Sequence, residues 1–175
     1  MAIILPYKDI LPTINDTAFI AANAAVMGDV VIGANSSIWY SVTIRGDVNV
    51  IRIGAGTNIQ DGTVIHVATH GKGTHIGNNV TVGHMAMLHD CVIEDDGYVG
   101  MQAMVMDGAV VQSKAFVAAG ALVTPGKIVP TGQLWAGLPA KYLRDLNEDD
   151  YKMMAWSGPH YVRLGQEHKK VTPSL

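Results

Sequence analysis

Apolar residues recur along this chain every six positions. Ile20, Val26, Ile32, Ile38 and Ile44 share one phase. After three extra residues the phase resumes at Ile53, Ile59 and Ile65, and after five more at Ile76, Val82 and Leu88. One residue is then missing before Ile93, and the phase holds through Val99, Val105, Val111, Val117, Val123, Val129 and Trp135. Four residues after the phased position the side chain is usually small, as at Ala24, Ser36, Thr57, Thr63, Ala86, Ala103, Ala109, Ala115 and Ala121. Glycine often follows it directly, as at Gly33, Gly54, Gly77, Gly83 and Gly100. A bulky apolar residue, a small residue and a glycine at fixed offsets describe a short strand and a tight corner. The period is neither the 2 of an open sheet nor the 3.6 of a helix. No unit can bury its own apolar residue, but stacked units can, along one continuous axis.

The pattern resembles the hexapeptide repeats of left-handed β-helices, in which three hexapeptides make one triangular turn. The expected fold is therefore an all-β solenoid, a left-handed parallel β-helix. Its hand follows from the resemblance alone, since crossover connections are in general right-handed. The β-helix is expected over 1–138, with coils from about residue 20, and a helical segment packed on it over 139–175. The phase ends after Trp135, where Gly137-Leu138-Pro139 breaks the chain. Asn147 to Tyr151 begins with a plausible N-cap and an acidic first turn. Tyr151, Met154 and Ala155 suit one helical face. Gly158-Pro159 reads as an interruption, with a second short helix from about Tyr161 and loose final residues.

Composition narrows the function. The net charge of −3 comes with no run of Lys and Arg, so neither nucleic acid nor an anionic membrane is expected as a partner. No apolar run is long enough to span a membrane, and the first residues do not read as a secretory signal. Charged residues make up only 15%, and the mean hydropathy is +0.21. That is apolar for a monomer of this size and suggests surface buried against other subunits. The single cysteine, Cys91, cannot form an internal disulfide and fits a reducing compartment, most simply the cytoplasm.

The histidines fall in register with the repeat. His66 follows Ile65 and His89 follows Leu88, so they occupy one place on consecutive turns, about 4.8 Å apart in the stacking direction. Arg45, after Ile44, continues the column below them, and a second column holds Asp61 and then His84. The phased residues fill the interior, so all of these side chains point outward, and His84 lies on a different face. A neighbouring prism could bring its His84 against His66 and His89, and closed symmetry then makes a homotrimer with sites at the subunit interfaces. The same histidines could instead form hydrogen bonds across a wet interface. Three neutral imidazoles suit Zn²⁺ with an open fourth position, and Fe²⁺ or Co²⁺ could take the same donors. A metal-bound water can become a hydroxide nucleophile near pH 7.

Arg45-Gly46-Asp47, Asn58-Ile59-Gln60-Asp61-Gly62, His66, Gly83-His84 and Leu88-His89-Asp90-Cys91 resemble the γ-class carbonic anhydrases and their relatives. The resemblance extends over about residues 6–165. It implies metal-hydroxide attack on CO₂ to give bicarbonate. His66 and His89 of one subunit and His84 of its neighbour would hold the metal, with Gln60 orienting the hydroxide or bicarbonate. Arg45 and Asp47 would pair across the subunit boundary, Asp61 would support a ligand or the interface, and Asn58 would polarise or position CO₂. Tyr161 lies where close relatives carry an Asn- and Tyr-bearing segment, although the asparagine is missing here. Val48 and Thr69 stand where two acidic proton carriers are expected, and the acidic insertion loop is absent; His70 and His75 could substitute. Three other activities fit the same residues: a metal-dependent thioesterase or small-ester hydrolase, a hexapeptide acyltransferase, and a non-catalytic trimeric metal-binding protein.

Overall fold

The structure, a computed structural model, describes residues 1–171. The chain winds through about seven turns of a parallel β-solenoid and ends in a single helix, Glu148–Val171. Each turn has three faces. The first face stacks Phe19–Ile20, Ser37–Ile38, Asn58–Ile59, Thr81–Val82, Tyr98–Val99, Phe116–Val117 and Gln133–Ala136. The second begins at Ile3–Leu5 and passes through Val64–His66, Met87–His89, Met104–Val105 and Leu122–Val123. The third runs from Thr13–Ile14 through Thr74–Ile76, Val92–Ile93 and Val110–Val111 to Ile128–Val129. Two longer strands, Ala25–Ile32 and Thr43–Ile53, continue around the corner between the second and third faces and join them into one 12-stranded sheet.

The repeat explains this architecture directly. Turns stack in register, with Ile44 against Ile65 and Ile65 against Leu88, so the phased residues form continuous internal columns. Ile38, Ile44, Ile59, Ile65, Val82 and Leu88 are wholly buried, and Ala103, Ala109 and Ala115 of the small column are buried with them. Where the small residue carries a hydroxyl, it donates to a carbonyl of the next turn: Ser36 to Gly54 O and Thr57 to Gly77 O, each at 2.7 Å. Gly54 is required because a Cβ there would lie 2.6 Å from the backbone of Gly77.

Every departure from a spacing of six falls at one corner. The intervals Ile44–Ile53, Ile65–Ile76 and Leu88–Ile93 all connect the second face to the third. The corner is thereby built out on two turns and cut short on the next, beside the ends of the strands that carry His66 and His89.

The C-terminal segment differs from expectation in two respects. Lys141–Asp145 is a strand, antiparallel to Gln133–Ala136, which closes the last turn. The helix is also continuous through Gly158 and Pro159 rather than divided there. Proline removes one helical hydrogen bond, but packing on the first face holds the helix on both sides of it. Ser157, Gly158 and Gly165 are its buried residues, and small side chains permit the close approach. A Cβ on Gly165 would stand 3.2 Å from Ser37 and 3.3 Å from Phe19. The N-cap is as expected: Asn147 Oδ1 accepts from the amides of Asp149 and Asp150 at 3.0 Å, and Asp150 Oδ2 accepts from Asn147 N at 2.8 Å. The expectation of a loose terminus falls on 172–175, outside the described residues.

Because each internal residue is covered by the turns above and below, Leu88→Ala should cost about 2–5 kcal/mol. Denaturant unfolding at fixed protein concentration checks this through a lower midpoint.

Candidate metal centre

The register places His66 directly against His89 on the second face. Their rings stand 5.2 Å apart, and His66 Nδ1 lies 3.2 Å from His89 Nε2. Each ring uses its other nitrogen on a carboxylate. His66 Nε2 lies 3.0 Å from Asp47 Oδ1, and His89 Nδ1 lies 3.1 Å from Asp107 Oδ1. Burial raises the Asp47 pKa, but hydrogen bonds from His66 and Arg45 outweigh it and hold the carboxyl below its ordinary value. An ionised carboxylate can only accept. Each histidine therefore turns an N–H to its carboxylate, and in a neutral ring the facing nitrogen then carries the lone pair. Two lone pairs at 3.2 Å require a cation or a hydrogen between them. The spacing fits a metal ion, since two nitrogens on a tetrahedral Zn²⁺ at about 2.0–2.1 Å each are roughly 3.3 Å apart. Carboxylate-buttressed imidazoles are also the usual form of a histidine metal ligand.

His84 also stands beside a carboxylate, at ion-pair distance rather than in a hydrogen bond. It lies in the turn after Thr81–Val82, at the corner between the first and second faces, with Nδ1 3.0 Å from Asp61 Oδ2. Its Nε2 remains available. His66 and His89 sit at the opposite end of the second face, where it turns to the third. Accordingly, among the described residues no three His, Cys, Asp or Glu side chains of one chain converge on a metal position.

The remaining candidates divide between these two corners. Arg45 contacts Asp47 within the chain, and the same carboxylate lies against His66. Asp61 lies beside His84, and Gln60 precedes it on the same corner. Asn58 is fully buried, and its amide is wholly engaged by Gln60, Thr81 and Val80, so it reaches Gln60 and not an entering molecule. Tyr161 packs on Trp39 with ring centroids 5.6 Å apart. Burial pushes its hydroxyl above the ordinary value, and the nearby Tyr98 and Asp61 add to the rise. Burial likewise pushes the Cys91 thiol up to about 12, which removes it as a thiolate ligand.

The loop 67–73, between His66 and the third face, is held from both sides. Asn49 donates to Ala68 O at 3.1 Å and Gly71 O at 3.0 Å, and Asp90 accepts from Gly73 N at 2.9 Å. A Cβ on Gly71 would fall 2.0 Å from the Asp90 carboxylate. His70 is exposed on this loop beside the His66 corner. His75 stands on the third face, with Nε2 2.9 Å from Lys72 O. Asp107 is the one site residue absent from the sequence reading. Its only signal was its place in the turn after Val105, one turn beyond His89.

A family model for the bacterial transferase hexapeptide, six repeats, matches residues 12–46. A carbonic anhydrase of Geobacillus kaustophilus is 42% identical over 166 residues, covering 95% of this chain and 91% of that protein. A mitochondrial γ carbonic anhydrase 2 of Arabidopsis thaliana is 48% identical over 162 residues, covering 90% of this chain. The chain spans only 58–64% of the length of the three Arabidopsis γ carbonic anhydrases it matches. Among solved structures, a Bacillus cereus protein provisionally described as an acetyltransferase superposes with a TM-score of 0.95 and 40% identity, over 98% of this chain and 99% of the other.

If Asp107 fixes the tautomer of His89, Asp107→Ala should weaken metal binding about 10- to 100-fold. Competition titration with a chromophoric chelator measures this, and Asp95→Ala, on the distant third-face corner, should leave affinity unchanged.

Proposed function

The chain belongs to the γ-class carbonic anhydrase-like family of hexapeptide-repeat proteins, and on that premise we propose that it hydrates CO₂ to bicarbonate at metal sites shared between the subunits of a homotrimer. The observation that carries this reading is the approach of His66 Nδ1 and His89 Nε2 to 3.2 Å, with the other nitrogen of each ring turned to a carboxylate. A Zn²⁺ suits three neutral imidazoles, with Fe²⁺ or Co²⁺ as substitutes. His66 and His89 of one subunit hold it from one side, and His84 of the neighbour holds it from the other. Asp47 and Asp107 would keep the rings of His66 and His89 in the tautomer that points a lone pair inward, and Asp61 stands beside His84.

When bound, the metal supplies a Lewis acid that makes water a nucleophile near neutral pH. Gln60, on the His84 corner, would turn its amide oxygen toward the nucleophile and orient it by accepting a hydrogen bond. The proton released must reach buffer. His70, exposed on the clamped loop, is the imidazole available at that edge, where Val48 and Thr69 carry no acid.

Trimer formation has support in the second face. Met87 and Met104 point outward there, and Met85 and Met101 lie at its leading corner; all four are exposed, Met85 to 62%. A row of methionines is an adaptable apolar surface suited to a second copy of the chain. None of the helices among the described residues is long and apolar enough to cross a membrane. A single buried Cys91 fits a reducing compartment, and we assign the chain to the cytoplasm.

Acetyl transfer, the activity in the description of the Bacillus cereus neighbour, is a second reading and needs no metal. Stopped-flow CO₂ hydration, with metal content measured on the same anaerobically purified sample, separates the two. We expect metal near one per subunit, hydration that disappears with chelation and in His89→Ala, and a mass in light scattering of about three 18.6 kDa chains. Acetyl-CoA turnover by metal-free protein, without CO₂ hydration, would support the other reading.

A further inference from the structure

A buried polar chain connects the C-terminal helix to Gln60. Ser157 of the helix lies with Oγ 2.9 Å from Thr81 Oγ1 on the first face. Thr81 Oγ1 accepts from Asn58 Nδ2 at 2.9 Å, and Asn58 Oδ1 accepts from Gln60 Nε2 at 3.0 Å. Ser157, Thr81, Asn58 and Gln60 are each no more than 5% exposed. Buried polar atoms at this depth are held by their partners, because no water is at hand to replace one.

The direction of the chain follows from chemistry. Val80 O is a backbone carbonyl and can only accept, and Asn58 Nδ2 donates to it at 3.3 Å. The nitrogen end of the Asn58 amide is therefore fixed toward Val80 O and Thr81, and its oxygen faces Gln60. Gln60 must meet that oxygen with its own NH₂, which leaves Gln60 Oε1 turned away from Asn58 as an acceptor. With Thr81 Oγ1 gone, Asn58 would keep only the longer bond to Val80 O, and both amides could turn over.

We infer that Thr81 and Ser157 are positioning residues that set the amide of Gln60, through Asn58, as an acceptor facing the reacting oxygen, so that the docked C-terminal helix is part of the catalytic apparatus. The inference rests on the CO₂-hydration reading for its catalytic consequence and on hydrogen-bond geometry alone for the orientation of Gln60. It distinguishes this helix from a simple cover over the first face: its contact at Ser157 reaches the chemistry two residues removed.

The test uses the full-length, metal-loaded protein with ¹⁵N-labelled glutamine side chains, the Gln60 NH₂ signals being assigned by Gln60→Glu. In Thr81→Val and Ser157→Ala these signals should shift and exchange faster with solvent. In the same variants kcat for CO₂ hydration should fall about two- to tenfold, the worth of one hydrogen bond, with KM and metal content unchanged. Thr81→Ser, which retains the hydroxyl, should restore both readouts. Unmoved Gln60 signals, or moved signals with unaltered kcat, would overturn the inference. If Thr81→Val does not fold, Ser157→Ala carries the comparison. If the unmutated protein does not hydrate CO₂, the proposed function fails, while the amide signals still decide whether helix and glutamine are linked.

Discussion

A six-residue unit with one isoleucine or valine turned inward cannot bury that side chain until another turn covers it, and the rest of this molecule follows from that requirement. Covering demands register, and register converts sequence offsets into places in space. The columns of Ile, Val and Leu close the interior, the small column and its hydroxyls fill the corners, and glycines such as Gly54 admit the next turn's backbone. Outward-facing residues inherit the same order. His66 and His89, 23 positions apart, become neighbours at 3.2 Å because the phased residues beside them are stacked.

The site departs from the repeat only where chemistry needs it. The lengthened and shortened connections gather at one corner, and there the chain places Asp47, the clamped loop 67–73 and Asp90 around the two histidines. Both rings spend one nitrogen on a carboxylate and turn the other toward each other, 3.2 Å apart. His84 offers a third ring on the far corner of the same face, too distant to complete the group within one chain. Under the proposed homotrimer, a closed ring of copies would join one corner to the other without altering either. The exposed methionines between them suit that contact.

Much of this was legible in the sequence because a solenoid is nearly one-dimensional. The phase, its interruptions, the His66–His89 column and the Asn147 cap all come from local spacing. What escaped depends on contacts that spacing does not encode. Asp107 belongs to the turn beyond His89 and carries no motif; only the direction of the His89 ring reveals it. Gly158-Pro159 reads as a break, yet packing on the first face carries the helix through it. Lys141–Asp145 forms a strand although its residues are mostly exposed, because the edge of Gln133–Ala136 offers backbone partners. Asn58 was expected to polarise or position CO₂, but in the fold its amide is buried and bonded to Val80, Thr81 and Gln60.

The central claim is that each metal position is completed by two subunits, and subunit mixing tests it most directly. His84→Ala and His89→Ala chains, each expressed alone, should form trimers that hold no metal. Coexpressed with distinct tags and purified as mixed trimers, they should regain on the order of one metal per trimer, at the interface where intact His66 and His89 of one chain meet intact His84 of the other. Mixed trimers with no more metal than either parent would contradict the account.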